Sequence, residues 1–226
     1  MTYSQPMEPY VSARGRSIAI TVLMIAQLVA LVLSTVGYAI ALDGHELTGA
    51  LGLVFGGALD ILDSALFLAT TVVFMTWVYR AIANLPALGS MSCRFTPSGA
   101  VWSFFIPFVN LVRGHQVMAT IWTESQPAAV NENGFWLPRK TTIVNWWWGL
   151  VILMRVASWV TSHTTATDAD ELRELVISGI VLNVVYIVAG ALFLVMVRGA
   201  QSRQDEMWLD LERRRSTPQP SAAALR

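Results

Sequence analysis

The chain has 226 residues, 54% hydrophobic and only 13% charged, against roughly 25% charge in an ordinary soluble domain, so composition excludes a water-soluble globule and indicates a membrane protein. Fifteen Lys plus Arg balance fifteen Asp plus Glu, so no net field draws nucleic acid and none is expected as a partner. Cys93 is the single cysteine, which excludes an internal disulfide and a cysteine-built metal cage; no metal or cofactor is expected.

A hydrocarbon core about 30 Å thick takes roughly 20 apolar residues as helix. Residues 1–16 are polar and read as a disordered leader. Span one, about 17–41, carries Gln27 as its only strongly polar side chain. A cleaved signal peptide is the competing reading there, because Ala39 and Ala41 form an A-x-A-like site; the apolar run is too long for one, and Glu8 precedes it. Span two, about 52–79, carries Asp60 and Asp63 and ends in Trp77 and Tyr79, which suit a membrane interface. Span three, about 142–161, carries Arg155, and span four, about 174–197, carries Asn183. Residues 199–226 read as a helical continuation that gives way to a disordered tail.

Between spans two and three, 99–124 looks like a fifth span until Pro107, which disfavours helix at Ile106 and suits a new helix start. From Pro107 onward Asn110, Arg113, Gln116, Thr120 and Glu124 recur at helical spacing, and Phe108, Leu111, Val112, Met118, Ile121 and Trp122 form the other face. The segment is read as an amphipathic interfacial helix, with a shallow re-entrant limb as the alternative and a true span as the least favoured one. Loop charge supports this. All Lys and Arg except Arg155 and Arg173 fall in the termini or between spans two and three, which places both termini and this segment in the cytoplasm and requires an even number of spans. Only Lys140 among the basic residues is lysine, a bias that points to a bacterial genome.

The ordered motifs "WVYRAIANLPALG" (77–89), "TPSGAVWSFFIPFVNLVRGHQVMATIWTES" (96–125) and "VNWWWGL" (144–150) resemble the bacterial domain-of-unknown-function 4328 family. The matches fall on Trp77, Arg80, Asn84, Pro97, Phe105, Pro107, Asn110, Leu111, Gln116, Ile121, Trp122, Ser125, Asn145, Trp146 and Trp147. Gly114 departs from the pattern where similar proteins often carry proline. The resemblance implies a multi-span protein with cytoplasmic motifs and implies no activity.

Two constellations carry what chemistry there is. Asp60 and Asp63 share a helix face with Gly52 and Gly56, and with Arg155 and Asn183 they lie at similar depths. A charge inside the membrane costs about 2.5–3.5 kcal/mol on insertion scales. An Asp63–Arg155 pair that fixes helix register is therefore the expected arrangement, ahead of an ion path or snorkelling to the outer interface. The second group, Arg80, Asn84, Asn110, Arg113, Gln116 and Asn145, lies on the cytoplasmic side, where it would contact membrane lipids or line a polar pocket for a headgroup or a protein partner. The Gly52/Gly56 face leaves room for a homo-oligomer. No P-loop, H-E-x-x-H, G-x-S-x-G or G-x-G-x-x-G signature is present. The expectation is an all-α, four-span inner-membrane protein, non-enzymatic, acting as a scaffold or accessory protein. The alternative is a proton- or ion-coupled transporter that uses Asp60, Asp63 and Arg155.

Overall fold

A computed structural model describes residues 9–41, 46–90, 93–127, 139–163 and 169–216. The described residues form helices and turns with no strand: α1 Arg14–Ala41, α2 Glu46–Asn84, a 3-10 turn Pro86–Leu88, α3 Pro97–Trp102, a π turn Asn110–Gly114, α4 His115–Glu124, α5 Thr142–Ser162 and α6 Ala169–Ser216. Four of them, α1, α2, α5 and α6, are long and apolar enough to cross a membrane. The protein is an all-α integral membrane bundle of four spans.

One face of α1 organises the bundle. Ala13, Ser17, Ile20, Met24, Gln27, Ala30 and Ser34 are buried at spacings of three and four, which is one seam of a helix. The rest of its surface, from Ile18 and Val22 to Val32 and Val36, is exposed and apolar, as a lipid-facing surface must be. This seam packs along α2 on one side and α6 on the other, and α5 packs on α6. Among the described residues no comparable contact joins α2 to α5, so the spans run α2, α1, α6, α5 as an open arc.

Burial concentrates at the end of the bundle that carries both termini. There Phe74, Trp77, Val78, Ala81 and Ile82 of α2 meet Phe193, Met196, Val197 and Ala200 of α6. Phe74 stacks on Trp77 and meets Phe104 and Phe193 edge to face, and Trp147 of α5 stacks on Phe193. Residues 9–16 depart from the expected disordered leader. Residues 9–13 are extended and α1 begins at Arg14. The cause is specific: the Asn84 side chain donates to the Val11 carbonyl (2.9 Å) and accepts from the Val11 N–H (3.2 Å), and Ala13 is buried.

Residues 97–124 break as Pro107 suggests, although the helix restarts later than expected. Thr96 caps α3 by accepting from the Gly99 N–H at 3.1 Å, with Pro97 in the first turn. Phe108 then takes a left-handed conformation (φ 62°) and is 84% exposed. The chain therefore turns at 107–108 and resumes as helix only at Val109. The expected apolar face divides in two. Met118 and Ile121 are buried in the bundle with Val117, while Phe108, Leu111 and Val112 join Trp102, Phe105 and Ile106 as an exposed apolar patch. At Gly114 this segment packs tightly against α5: an added Cβ would come within 2.7 Å of both Asn110 Oδ1 and Trp148 Cη2.

Candidate functional site

The open side of the arc is a groove. Its cavity of about 660 Å³ lies between α2 (Phe67 to Met75) and α5 (Trp147 to Ser158), backed by Met24 and Gln27 of α1 and by Tyr186, Gly190 and Phe193 of α6. Phe104, Phe105 and Asn110 close it at the terminal end. Phe67 and Phe105 are 53% and 56% exposed, so the groove reaches the lipid-facing surface between α2 and α5. Its polar groups sort by depth. Arg155, Ser158, Gln27 and Tyr186 lie in its upper half, away from the termini, and the aromatic wall of Phe74, Phe104, Trp147 and Phe193 lies below. Among the described lining residues Arg155 is the single charged side chain.

The expected Asp63–Arg155 pair is not formed; Arg155 is exposed and has no carboxylate partner among the described residues. The two aspartates instead turn toward α1. Ser34 Oγ donates to Asp60 Oδ1 at 2.5 Å, and Asp63 lies within hydrogen-bonding reach of Gln27. The stripe on α6 faces the same helix: Asn183 Nδ2 donates to Thr35 Oγ1 (2.5 Å), and Gln27 Nε2 donates to the Tyr186 hydroxyl (2.5 Å). Gly190 admits Leu28 and Met24 of α1 against its backbone. The seam between α1 and its neighbours thus gathers Asp60, Asp63 and Asn183, and leaves Arg155 across the groove. Gly52 and Gly56 fall within α2, but their surroundings lie outside the described side chains.

Gln27 is the residue that sequence reasoning passed over. It is 1% exposed, lines the groove, and its Oε1 has no hydrogen-bond partner, as is true of Asp63 Oδ1. Two facing acceptors cannot satisfy one another. Exchanging the oxygen and nitrogen of the Gln27 amide resolves both, since Tyr186 then donates to Oε1 and Gln27 donates to Asp63. The signal was on the page as the one strongly polar side chain of span one.

The second expected constellation does not converge either. Asn84 is buried and holds the leader, as described above. Arg113 and Gln116 are exposed, and Arg80 is half-buried. Asn145 bonds His115 Nε2 at 2.8 Å on the outside of α5. Asn110 alone enters the groove, where its buried Oδ1 has no partner. Trp148 Nε1 donates to the Leu111 carbonyl (2.9 Å) and ties the floor of the groove to α5.

A polar core that the sequence reading did not single out lies below the groove. Gln204 is 1% exposed and its Nε2 donates to the Ala81 carbonyl (3.2 Å) and to Ser125 Oγ (3.1 Å). Gln201 accepts from Trp77 Nε1 (3.2 Å) and donates to Asp205 (3.1 Å), and the Tyr10 hydroxyl donates to Asp205 at 2.5 Å. Burial and the Asp205 carboxylate hold the Tyr10 phenol well above its ordinary pKa. Tyr10 stacks on Trp208, the Arg203 guanidinium lies 3.7 Å over Trp122, and Glu124 pairs with Arg139 at 3.0 Å. The signal here was the continuation of Phe193 and Val197 at helical spacing into Gln201 and Gln204.

No curated protein and no solved structure matches the chain. Residues 41–202, which take in α2, α5, the membrane part of α6 and the motifs between them but only the last residue of α1, match the domain of unknown function DUF4328, and the chain belongs to that family.

Proposed function

We propose that this protein is a non-enzymatic accessory protein of the bacterial cytoplasmic membrane, with both termini in the cytoplasm, that holds a membrane lipid in the groove between α2 and α5. The observation that carries the reading is the groove itself: about 660 Å³, reached from the lipid-facing surface, with an aromatic wall and a closed floor. That volume is within the range of small-molecule sites, about 300–1,000 Å³. The hydroxyls that line it, on Thr70, Thr71, Ser158 and Tyr186, have no histidine or carboxylate among the described lining residues beside them, which supports a non-enzymatic reading. The arginines near the end of α6, Arg213, Arg214 and Arg215, suit anionic headgroups at about 1 kcal/mol each, and the rigid terminal face offers a surface to a protein partner.

Native mass spectrometry of the protein released from its membrane tests the reading. Retention of one lipid-mass adduct by the wild type, and its loss on filling the groove with Val151→Trp, is the expected result. A wild type that flies without adduct, or an adduct indifferent to Val151→Trp, refutes it.

The transporter reading draws on one observation, the Asp63 carboxyl set against Gln27 inside the bundle, a group able to carry a proton. Proton flux in proteoliposomes that Asp63→Asn abolishes would establish it.

A further inference from the structure

We infer that the groove between α2 and α5 takes an anionic single-chain amphiphile, a long-chain carboxylate, whose head is held by Arg155 and whose tail runs toward the floor at Phe104 and Asn110. The inference rests on the lipid-holding reading and names the ligand class of the same site.

The argument begins with what a membrane does to affinity. Lipid tails are as apolar as the walls of the groove, so moving an acyl chain from bilayer to groove gains little. Selectivity must then reside in the head. Arg155 is the one charge among the described lining residues, and it lies thirteen positions into α5, well inside the hydrocarbon region, with no carboxylate partner among the described residues. A guanidinium at such a depth is costly unless an anion joins it, and its paired N–H groups match a carboxylate. Ser158, three positions along α5 from Arg155 and on the same lining, adds a hydroxyl donor for the same head. The depth of these groups sets the orientation. Arg155, Ser158, Gln27 and Tyr186 lie at the upper end of the groove and the wall of Phe74, Phe104, Trp147 and Phe193 at the lower end, so a head at Arg155 leaves the tail pointing at the floor.

Volume and charge together favour one chain. A methylene occupies about the room of a water molecule, roughly 30 Å³, so the cavity of about 660 Å³ accommodates one long chain in full, and the one guanidinium among the described lining residues matches one carboxylate head. The floor at Phe104, Phe105 and Asn110 gives the chain end a fixed stop.

The test uses the full-length protein in phosphatidylcholine nanodiscs at pH 8.5, with 9,10-dibromostearate as the probe and tryptophan quenching as the readout, since Trp147 and Trp148 line the groove. Wild type should show a saturable component that Arg155→Gln weakens at least about tenfold, the scale of one charge-assisted hydrogen bond. Arg155→Lys should retain most of the affinity, and Val151→Trp should abolish saturation with Arg155 intact. The methyl ester of the same brominated chain should bind wild type no better than it binds Arg155→Gln.

Equal binding of acid and ester in both proteins would overturn the anionic head and leave the lipid-holding reading intact. Saturable, Arg155-dependent quenching by a brominated phosphatidylglycerol would overturn the single chain in favour of a bilayer phospholipid. No saturable quenching by any probe would overturn both readings together. A thermal melt of Arg155→Gln separates lost binding from lost fold, and the Lys and Trp variants decide the matter if that protein is unstable.

Discussion

At the scale of single residues, the buried side chains that matter most are amides. Asn84 satisfies both backbone groups of Val11 in a buried setting, and an aspartate or leucine of the same size could not supply both a donor and an acceptor. Asn84→Ala should cost about 2 kcal/mol, the penalty for two lost hydrogen bonds and their stranded partners. It should also free residues 9–13, and limited proteolysis will read this as accelerated cleavage near Val11 alongside a lower melting temperature. Tyr10 fastens the same segment and gives it a pH dependence. Its pKa is raised in the folded protein, by burial first and by Asp205 second, so the folded state keeps a proton that the unfolded chain releases. The stabilisation is complete below the ordinary phenol value of 10.0 and declines as pH rises beyond it. Melting temperatures measured from pH 8 to 11 should fall more steeply for wild type than for Tyr10→Phe, which has no phenolic proton to release.

At the scale of elements, the spans were legible because apolar length is a strong signal, and the break at Pro107 because proline cannot continue a helix. What stayed hidden was pairing. Asp60, Asp63 and Asn183 stand at the depths that periodicity gives, but their partners on α1, Ser34, Gln27 and Thr35, depend on which helices are neighbours. Electrostatics alone favoured Asp63 with Arg155, and the open arc keeps α2 from packing along α5. The start of the second helix was misplaced for a similar reason: a phenylalanine at φ 62° is rare enough that no local rule selects it. The segment that follows holds the groove closed through a close approach at Gly114. Gly114→Ala would force its Cβ against Asn110 and Trp148, and Trp148 is also held by its bond to the Leu111 carbonyl. The expected cost is about 1–3 kcal/mol, as for other overpacked sites. A mere gain in helix propensity would stabilise instead, so the sign of the melting shift decides which effect wins.

At the scale of the whole molecule, the bundle has two unlike ends. The terminal end is packed like a soluble protein, with Gln201 accepting from Trp77 and Gln204 donating to Ala81 and Ser125, and the other end is held mainly along α1. Lys and Arg collect at the packed end, and the orientation proposed above puts that end in the cytoplasm on this charge bias. This makes a labelling prediction. In a Cys93→Ser background, single cysteines at Gln116 and Ser202, both exposed at the packed end, should react with a membrane-impermeant maleimide only in inverted vesicles. Asp170, exposed at the opposite end, should react only in intact cells. Val117, adjacent to Gln116 but fully buried, should resist from both sides. Cys93 itself should react slowly at neutral pH, because burial pushes its thiol above the ordinary value. Reaction of Gln116 in intact cells would carry the 97–124 segment through the membrane, reverse the end at which the arginines of α6 emerge, and remove the floor on which the groove depends.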